Sequence, residues 1–316
     1  MAVGHASDDI GATGVTVVRG IEAPFRASCA LLGRATGTRE LDALSPRHLV
    51  DRVDAIVLTG GSAFGLDSAG GVMRWMEERG RGFPVGVGVV PIVPAAVVFD
   101  LAPCGSPTAR PTALMAYEAC ELARPNEIAE GSVGAGTGTT VGKAAGIGRA
   151  MKGGVGLRLE TAGELQVAAL AVVNSLGDVR DGEGRIIAGA RGDAADFVDL
   201  SRSLAAGALP AESRFATRAL HNTTLAVVMT NAAMSREELA QLAAASSVAL
   251  GRRITPVGTS YDGDVVFATS PLNGLAATAL QVEVLAVAAL EAAIERAVRM
   301  ARGRDGIPGL ADQRAQ

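Results

Sequence analysis

The 316-residue chain is 48% hydrophobic and 20% charged, a balance that excludes intrinsic disorder and leaves enough apolar side chains for a sizeable core. Its net charge of −4 and pI near 5.5 exclude the basic footprint of a nucleic-acid binder. The cysteines Cys29, Cys104 and Cys120 are odd in number and lack CxxC spacing, so neither a disulfide framework nor a zinc site is expected, and a reducing, cytoplasmic location fits.

Met1–Gly14 holds His5, Asp8 and Asp9 without an apolar run, so no secretion signal is expected. Strands are predicted over Gly14–Arg19, Ser28–Gly33 and Val53–Thr59, the last running into Gly60 and Gly61. Ser62–Arg79 reads as a helix, Pro84–Val90 as Gly-rich and β-like, and Pro111–Ala123 as a helix with Pro111 in its first turn. Gly153–Glu160, Leu165–Asn174 and Arg185–Ala190 read as strands, with a turn over Asp178–Gly184. Asp193–Phe215 is Ala-rich, polar and aperiodic, and is the best linker candidate. Regularity returns at Thr223–Thr230 (TTLAVVMT), a buried strand. Ser235–Leu250 is a helix opened by a Ser235/Glu238 capping box. Ile254–Gly258 and Val265–Thr269 are strands, and Asn273–Arg302 is a long Ala-rich helix. The apolar stretch Leu272–Ile294 is interrupted by Gln281, Glu283 and Glu291, so it predicts a buried helix and no membrane span.

Two motifs fail on their spacing. The tract Gly131–Lys143 (GSVGAGTGTTVGK) invites a phosphate-loop reading, but the required first Gly is Thr137 and Ala144 follows the Lys. Its free N–H groups still allow an anion or oxyanion site, beside a purely structural Gly-rich bend. Gly60–Gly65 (GGSAFG) lies between a strand and a helix like a nucleophile elbow, yet Phe64 stands where a Gly is needed. Ser62 is therefore expected to be a helix N-cap. The histidines His5, His48 and His221 have no metal-ligand spacing, and no metal or cofactor is expected.

His221-Asn222-Thr223-Thr224 directly precedes a strand. As local sequence this is a turn. It also has specific chemistry. A Thr hydroxyl can attack the carbonyl before it, an N-to-O acyl shift gives an ester, and hydrolysis frees a new N-terminal Thr whose amine serves its own hydroxyl as base. Downstream, Asp262 and Asp264 are two residues apart, on one side of an extended segment, and such a pair shares a proton. The alternative is a charged β-turn centred on Gly263.

The chain resembles the P1 peptidase family of self-cleaving hydrolases, which includes D-aminopeptidases/D-amidases, β-peptidyl aminopeptidases and nylon-oligomer endo-amidases. The resemblance rests on VGHASDDIGATGVTVV (3–18), LVDRVDAIVLTGGSAFGLDSAGGVMRWMEERG (49–80), VPIVPAAVVFDL (90–101), GSVGAGTGTTVGKAAG (131–146) and NTTLAVVMTNA (222–232), and so covers nearly the whole chain. It implies an α/β fold, a four-layer α/β/β/α sandwich similar to N-terminal-nucleophile hydrolases. One domain, 1–316, would be cut into 1–222 and 223–316, which stay together, and a homotetramer would form. Cutting lies between Asn222 and Thr223, with Thr223 the nucleophile. Lys143 and Asn174 fall at active-site positions, Asn174 as an oxyanion donor, with Gly134, Ala135 and Phe99 at the oxyanion or substrate pocket. Phe99 is a departure, standing where some members carry Tyr. Thr223 after Asn, and Asp at both 262 and 264, look like the nylon-oligomer branch, since many aminopeptidase members have Ser at the nucleophile and tend to have Glu at the second acidic position.

The expected activity is hydrolysis of small linear amides, such as 6-aminohexanoate oligomers or peptides with D- or β-residues. The alternatives are an aminopeptidase with little nylon-oligomer activity, an acyltransferase like ornithine acetyltransferase, and a non-catalytic assembly protein on the same fold. No nucleic-acid or membrane partner is expected.

Overall fold

The segment Thr223–Thr230 is buried at every position, the signature of a strand with neighbours on both edges and cover on both faces. The computed structural model, which describes residues 1–102, 104–193, 196–208 and 222–314, shows why. Two five-stranded sheets are built from β1 (Ala2–Asp8), β2 (Thr13–Arg19), β3 (Phe25–Leu31), β4 (Thr38–Arg39), β5 (Ala55–Thr59), β6 (Ala95–Val97), β7 (Gly154–Ala162), β8 (Leu165–Asn174), β9 (Thr223–Thr230) and β10 (Val265–Pro271). The first sheet has the order β1-β2-β5-β6-β4, the second β7-β8-β9-β10-β3. In both, one inner pair is parallel (β5 with β6, β9 with β10) and the other pairs are antiparallel.

The helices are α1 (Ala69–Glu77), α2 (Ala113–Leu122), α3 (Leu200–Ala205), α4 (Arg236–Ser246), α5 (Val248–Arg253) and α6 (Ala279–Arg299). Period-two alternation along the strands sorts their side chains into three cores. Val15, Val17 and Val57 pack under α1 and α2 through Val72, Met76 and Ala116. Val18, Ile56 and Leu58 meet Leu170, Val172, Leu225, Val227 and Phe267 between the sheets. Ala169, Ala171, Ala226 and Val228 lie under α4 and α6 through Leu239, Leu242, Leu290 and Ile294. The result is the four-layer α/β/β/α sandwich.

Several sequence expectations need adjustment. Ser62–Arg79 is a 3-10 segment, Ser62–Ser68, followed by α1. Thr112, with its side chain accepting from the Met115 N–H, caps α2, so Pro111 precedes the helix. Asp178–Arg180 is a short strand, so the turn begins after it. Asp262–Asp264 is not a turn about Gly263, since Asn222 bridges Asp262 in parallel and continues the β9–β10 ladder. Part of the linker candidate forms α3, while 194–195, 209–215 and His221 lie outside the described residues. Among the described residues no helix is long and apolar enough to cross a membrane.

The strand order decides what cutting before Thr223 does. β9 and β10 come from 223–316, yet they lie between β8 and β3, both from 1–222. Residues 223–316 thus supply the middle of the second sheet, and breaking that one peptide bond would leave the two pieces locked in one hydrogen-bonded ladder.

Candidate active site

Register brings the scattered candidates together. Asn174, the last residue of β8, pairs with Thr223, the first of β9. Residues paired directly across an antiparallel ladder project to the same face, and the pairs Val172–Leu225 and Leu170–Val227 fix that face as the one between the sheets. On the other edge of β9, the extended Asp262-Gly263-Asp264 runs alongside Asn222-Thr223-Thr224.

Two hydrogen bonds fasten this junction. The Gly263 N–H donates to the Asn222 carbonyl oxygen at 2.7 Å, and the Thr224 N–H donates to Asp264 Oδ1 at 2.6 Å. The peptide that joins Asn222 to Thr223 is therefore held at its oxygen and the following peptide at its N–H, both by the 262–264 segment. Gly263 is required by the close approach, because a Cβ there would stand 2.5 Å from the Ala35 carbonyl oxygen and 2.9 Å from Thr223 Oγ1. With no side chain at 263, the Thr223 hydroxyl has room.

Lys143 opens a short 3-10 turn and is buried to 4% exposure. Its Nζ donates to the Asn174 carbonyl at 3.0 Å and to Asn174 Oδ1 at 2.8 Å. Asn174 Oδ1 also accepts the Thr140 N–H at 3.1 Å, and its Nδ2 donates to the Phe99 carbonyl at 3.1 Å. One amide N–H of Asn174 remains for a ligand. Burial brings the Lys143 ammonium down to about 7, with nearby Asp262 opposing the shift. Burial, reinforced by the Asp262 charge, pushes Asp264 up to about 7. Desolvation also raises Asp262, against the bonds it accepts at Thr259. Asp264 Oδ2 is buried and has no hydrogen-bond partner among the described residues. Asp264 and one buried amine thus sit close to Thr223 with proton affinities near neutrality, where a proton relay is most effective, with the raised Asp262 carboxyl beside them.

The Gly134 and Ala135 assignment needs correcting. Their N–H groups are committed to Ser7 Oγ at 2.8 Å and Thr16 Oγ1 at 3.1 Å, against β1 and β2. The two residues do not line the cavity that holds Thr223. That cavity, of about 260 Å3, is lined by Ala35, Thr36, Gly37, Ser62, Ala63, Val97, Phe99 and Thr223. It opens where the first sheet ends, and Phe99 lines it together with Thr223. A larger cleft of about 440 Å3 lies at the opposite end of β9, beside Met229 and Thr230. It contains none of the candidate residues, so chemistry and not size picks out the smaller cavity.

Three participants were not anticipated. Ser62 is no N-cap. Gly61 holds that position, and Ser62 has φ 53 with no capping bond. Asp100, 2% exposed, accepts the Gly61 N–H at 2.6 Å and the Thr13 hydroxyl at 2.7 Å. Lys152, 1% exposed, donates to the carbonyls of Thr137 at 2.9 Å and Thr139 at 2.7 Å, bracing the Gly/Thr tract behind the site. Ser62 and Asp100 both stand in the motifs that carry the resemblance, but the left-handed backbone at Ser62 cannot be read from their spacing. Among the described residues no group of His, Cys, Asp and Glu side chains could hold a metal ion.

Comparison with known proteins agrees with this fold. The sequence pattern of peptidase family S58 matches residues 1–309. An uncharacterized aminopeptidase of Mycobacterium tuberculosis is 42% identical over 239 residues, 75% of this chain and 67% of the relative. A 6-aminohexanoate-oligomer endohydrolase of a Kocuria species is 31% identical over 270 residues, 85% of this chain and 72% of the relative. Among solved structures, a β-aminopeptidase of a Burkholderia species superposes with TM-score 0.71 at 19% identity, covering 99% of this chain and 89% of the other. The L-aminopeptidase D-Ala-esterase/amidase of Ochrobactrum anthropi, described as a variant of the Ntn hydrolase fold, gives TM-score 0.70 at 17% identity over 99% and 90% of the two chains.

Proposed function

We propose that this chain, which belongs to peptidase family S58 and is a hydrolase of amide bonds, cuts itself between Asn222 and Thr223 and then uses Thr223 to hydrolyse linear amides with uncharged flanks. The observation that carries this reading is the Asn222 carbonyl. Its oxygen is gripped by the Gly263 N–H at 2.7 Å, at the place where negative charge must develop when a neighbouring hydroxyl attacks the carbon.

In the precursor the Thr223 nitrogen is an amide and cannot act as base. The Asp264 carboxylate, with Asp262 and Lys143 around it, takes the hydroxyl proton. Oγ1 bonds to the Asn222 carbon, and the C–N bond breaks as the nitrogen is protonated. Water then hydrolyses the resulting ester, giving an Asn222 carboxylate and a free Thr223 amine and hydroxyl. In the mature site the amine, with an unperturbed pKa near 8, joins the acidic pair as base. Thr223 attacks the substrate carbonyl, the leaving amine takes the proton, and a second water releases the acyl group.

Asp264 and its neighbour Lys143 change state in the same window. Asp264, raised to about 7, is protonated below that pH and ionised above it, and Lys143, lowered to about 7, is charged below and neutral above. Turnover is therefore expected to climb between pH 6 and pH 8. A profile that is flat over that interval contradicts these assignments.

The cavity supports an endo-acting amidase over an aminopeptidase. An aminopeptidase must hold an ammonium close to the scissile carbonyl, whereas the described lining offers only the hydroxyls of Thr36, Ser62 and Thr223 among apolar groups, and the nearby Asp264 and Asp262 are engaged by the Thr224 N–H and by the Lys143 charge. Charged residues come one step further out, where Arg39 and Asp67 share a shallow groove with Ala63. A methylene-rich acyl chain fits between, with its charged end beyond Ala63. We expect 6-aminohexanoyl p-nitroanilide and its N-acetylated form to be cleaved with kcat/KM values within about tenfold of each other, a difference of about 1.4 kcal/mol. Cleavage of the free amine alone would favour the aminopeptidase reading. Acetyl transfer from acetylornithine to glutamate would favour the acyltransferase reading.

A further inference from the structure

We propose that the Ser62 hydroxyl is a hydrogen-bond donor to the substrate's carbonyl oxygen when the mature Thr223 attacks it. This inference rests on the threonine mechanism above and adds a residue to it. Ser62 and Thr223 line the same cavity, so Ser62 borders the space that a substrate carbonyl must enter to meet Thr223.

The backbone around Ser62 is held at a cost that capping does not explain. A φ of 53 is the left-handed region, disfavoured for a non-glycine residue by roughly 1 kcal/mol or more, and such strain gathers at functional positions. It is maintained from below. The Ser62 N–H donates to the Val98 carbonyl at 3.0 Å, and the preceding Gly61 N–H is tied to buried Asp100 at 2.6 Å. Asp100 is in turn fixed by the Thr13 hydroxyl at 2.7 Å. The side chain itself makes no hydrogen bond among the described residues, so this support presents a hydroxyl with nothing yet to bind.

Beside the one amide N–H that Asn174 has left, the described site offers few such donors. Lys143 spends two bonds on Asn174, Asn174 spends one on the Phe99 carbonyl, and the amides of Gly134 and Ala135 face β1 and β2. Phe99 brings a ring and no donor. The Gly263 N–H serves the Asn222 carbonyl, which gives self-cleavage its own donor. The two reactions are thereby separable, since Ser62 belongs to the second.

The test compares Ser62→Gly with Ser62→Asn in the full chain. Glycine accepts the left-handed backbone and removes the hydroxyl, while asparagine tolerates that backbone and returns an N–H donor. Self-cleavage is followed by mass, and turnover with 6-aminohexanoyl p-nitroanilide. Ser62→Gly is expected to cut itself at the wild-type rate and to lose about 10²–10³ in kcat with little change in KM. Ser62→Asn should recover part of that loss. A Ser62→Gly kcat within about threefold of wild type overturns the proposal. Parallel loss of self-cleavage and turnover also overturns it, by revealing a supporting role in the fold. Failure of the wild-type chain to cut itself or to hydrolyse the probe would instead sink the threonine mechanism, and that is read before any variant is compared.

Discussion

Thr223→Ala is expected to leave the protein as one 31.9 kDa chain and to lower amide hydrolysis by about 10⁶-fold, the scale set by deleting a covalent nucleophile. Both losses have one cause. The hydroxyl that attacks the Asn222 carbonyl is the one that later attacks substrate, and the free amine arises only from the first attack. The fold should survive. Thr223 begins a strand buried along its whole length, alanine keeps the backbone bonds to β8 and β10, and only a hydroxyl and a methyl are lost at a cavity wall. Thr223→Ser, which keeps the hydroxyl, should still cut and turn over. An uncut Thr223→Ala protein with full activity would remove Thr223 from the mechanism.

Asp264→Asn is expected to cost about 10²–10⁴ in both self-cleavage and turnover while making the protein more stable at pH 8. The carboxylate is 2% exposed, and its carboxyl is pushed up to about 7 by burial and by Asp262. In the fold it keeps its proton to about pH 7, whereas an unfolded Asp releases it near 3.8. The native state thus binds more protons between those values, and stability falls as pH rises from about 4 to about 7. Above pH 7 the full penalty of a buried charge applies. An asparagine avoids that penalty, and its side-chain oxygen can still accept the Thr224 N–H. Thermal unfolding should show the variant a few degrees above wild type at pH 8, with the gap closing toward pH 4. A lower Tm at pH 8 would mean that the charge is better paired than the orphaned Oδ2 indicates. The trade is expected where a catalytic base is kept poised at the expense of the fold.

The parts of this fold that were legible share one property, an apolar pattern strong enough to act locally. Thr223–Thr230 and Leu165–Asn174 stand as read, because their runs of Val, Leu and Ala are central strands covered on both faces. The Ser235/Glu238 box starts α4 as expected, although the helix breaks at Ser247 and continues as α5. β1 was not legible. Its AVGHASD alternates small and polar residues, and it is buried because α2 packs onto its backbone, so closely that a Cβ on Gly4 would lie 1.9 Å from the Ala119 carbonyl oxygen. β6 is only three residues long and exists through its parallel pairing with β5.

The candidate site divides in the same way. The chemistry of Asn222–Thr223 and of the Asp262/Asp264 spacing could be argued from the residues, but their convergence with Lys143 and Asn174 depends on register across β8, β9 and the chain leading into β10. Only the resemblance carried that information in advance. The oxyanion reading of the Gly-rich tract comes instead from its N–H groups, and those of Gly134 and Ala135 look available until their partners Ser7 and Thr16 arrive from the first sheet. Ser62 reads as an N-cap on motif spacing, although it holds a left-handed backbone and the Gly61 N–H just before it is tied to the carboxylate of Asp100, far along the chain.

The central claim is most directly tested by the intact mass of the purified protein under denaturing conditions. From 31.9 kDa over 316 residues, cutting before Thr223 predicts fragments of roughly 22 and 10 kDa that co-purify under native conditions, the smaller beginning with the free amine of Thr223. A single 31.9 kDa species persisting after long incubation at pH 8 would contradict self-cleavage at this bond and, with it, the assignment of Thr223 as nucleophile.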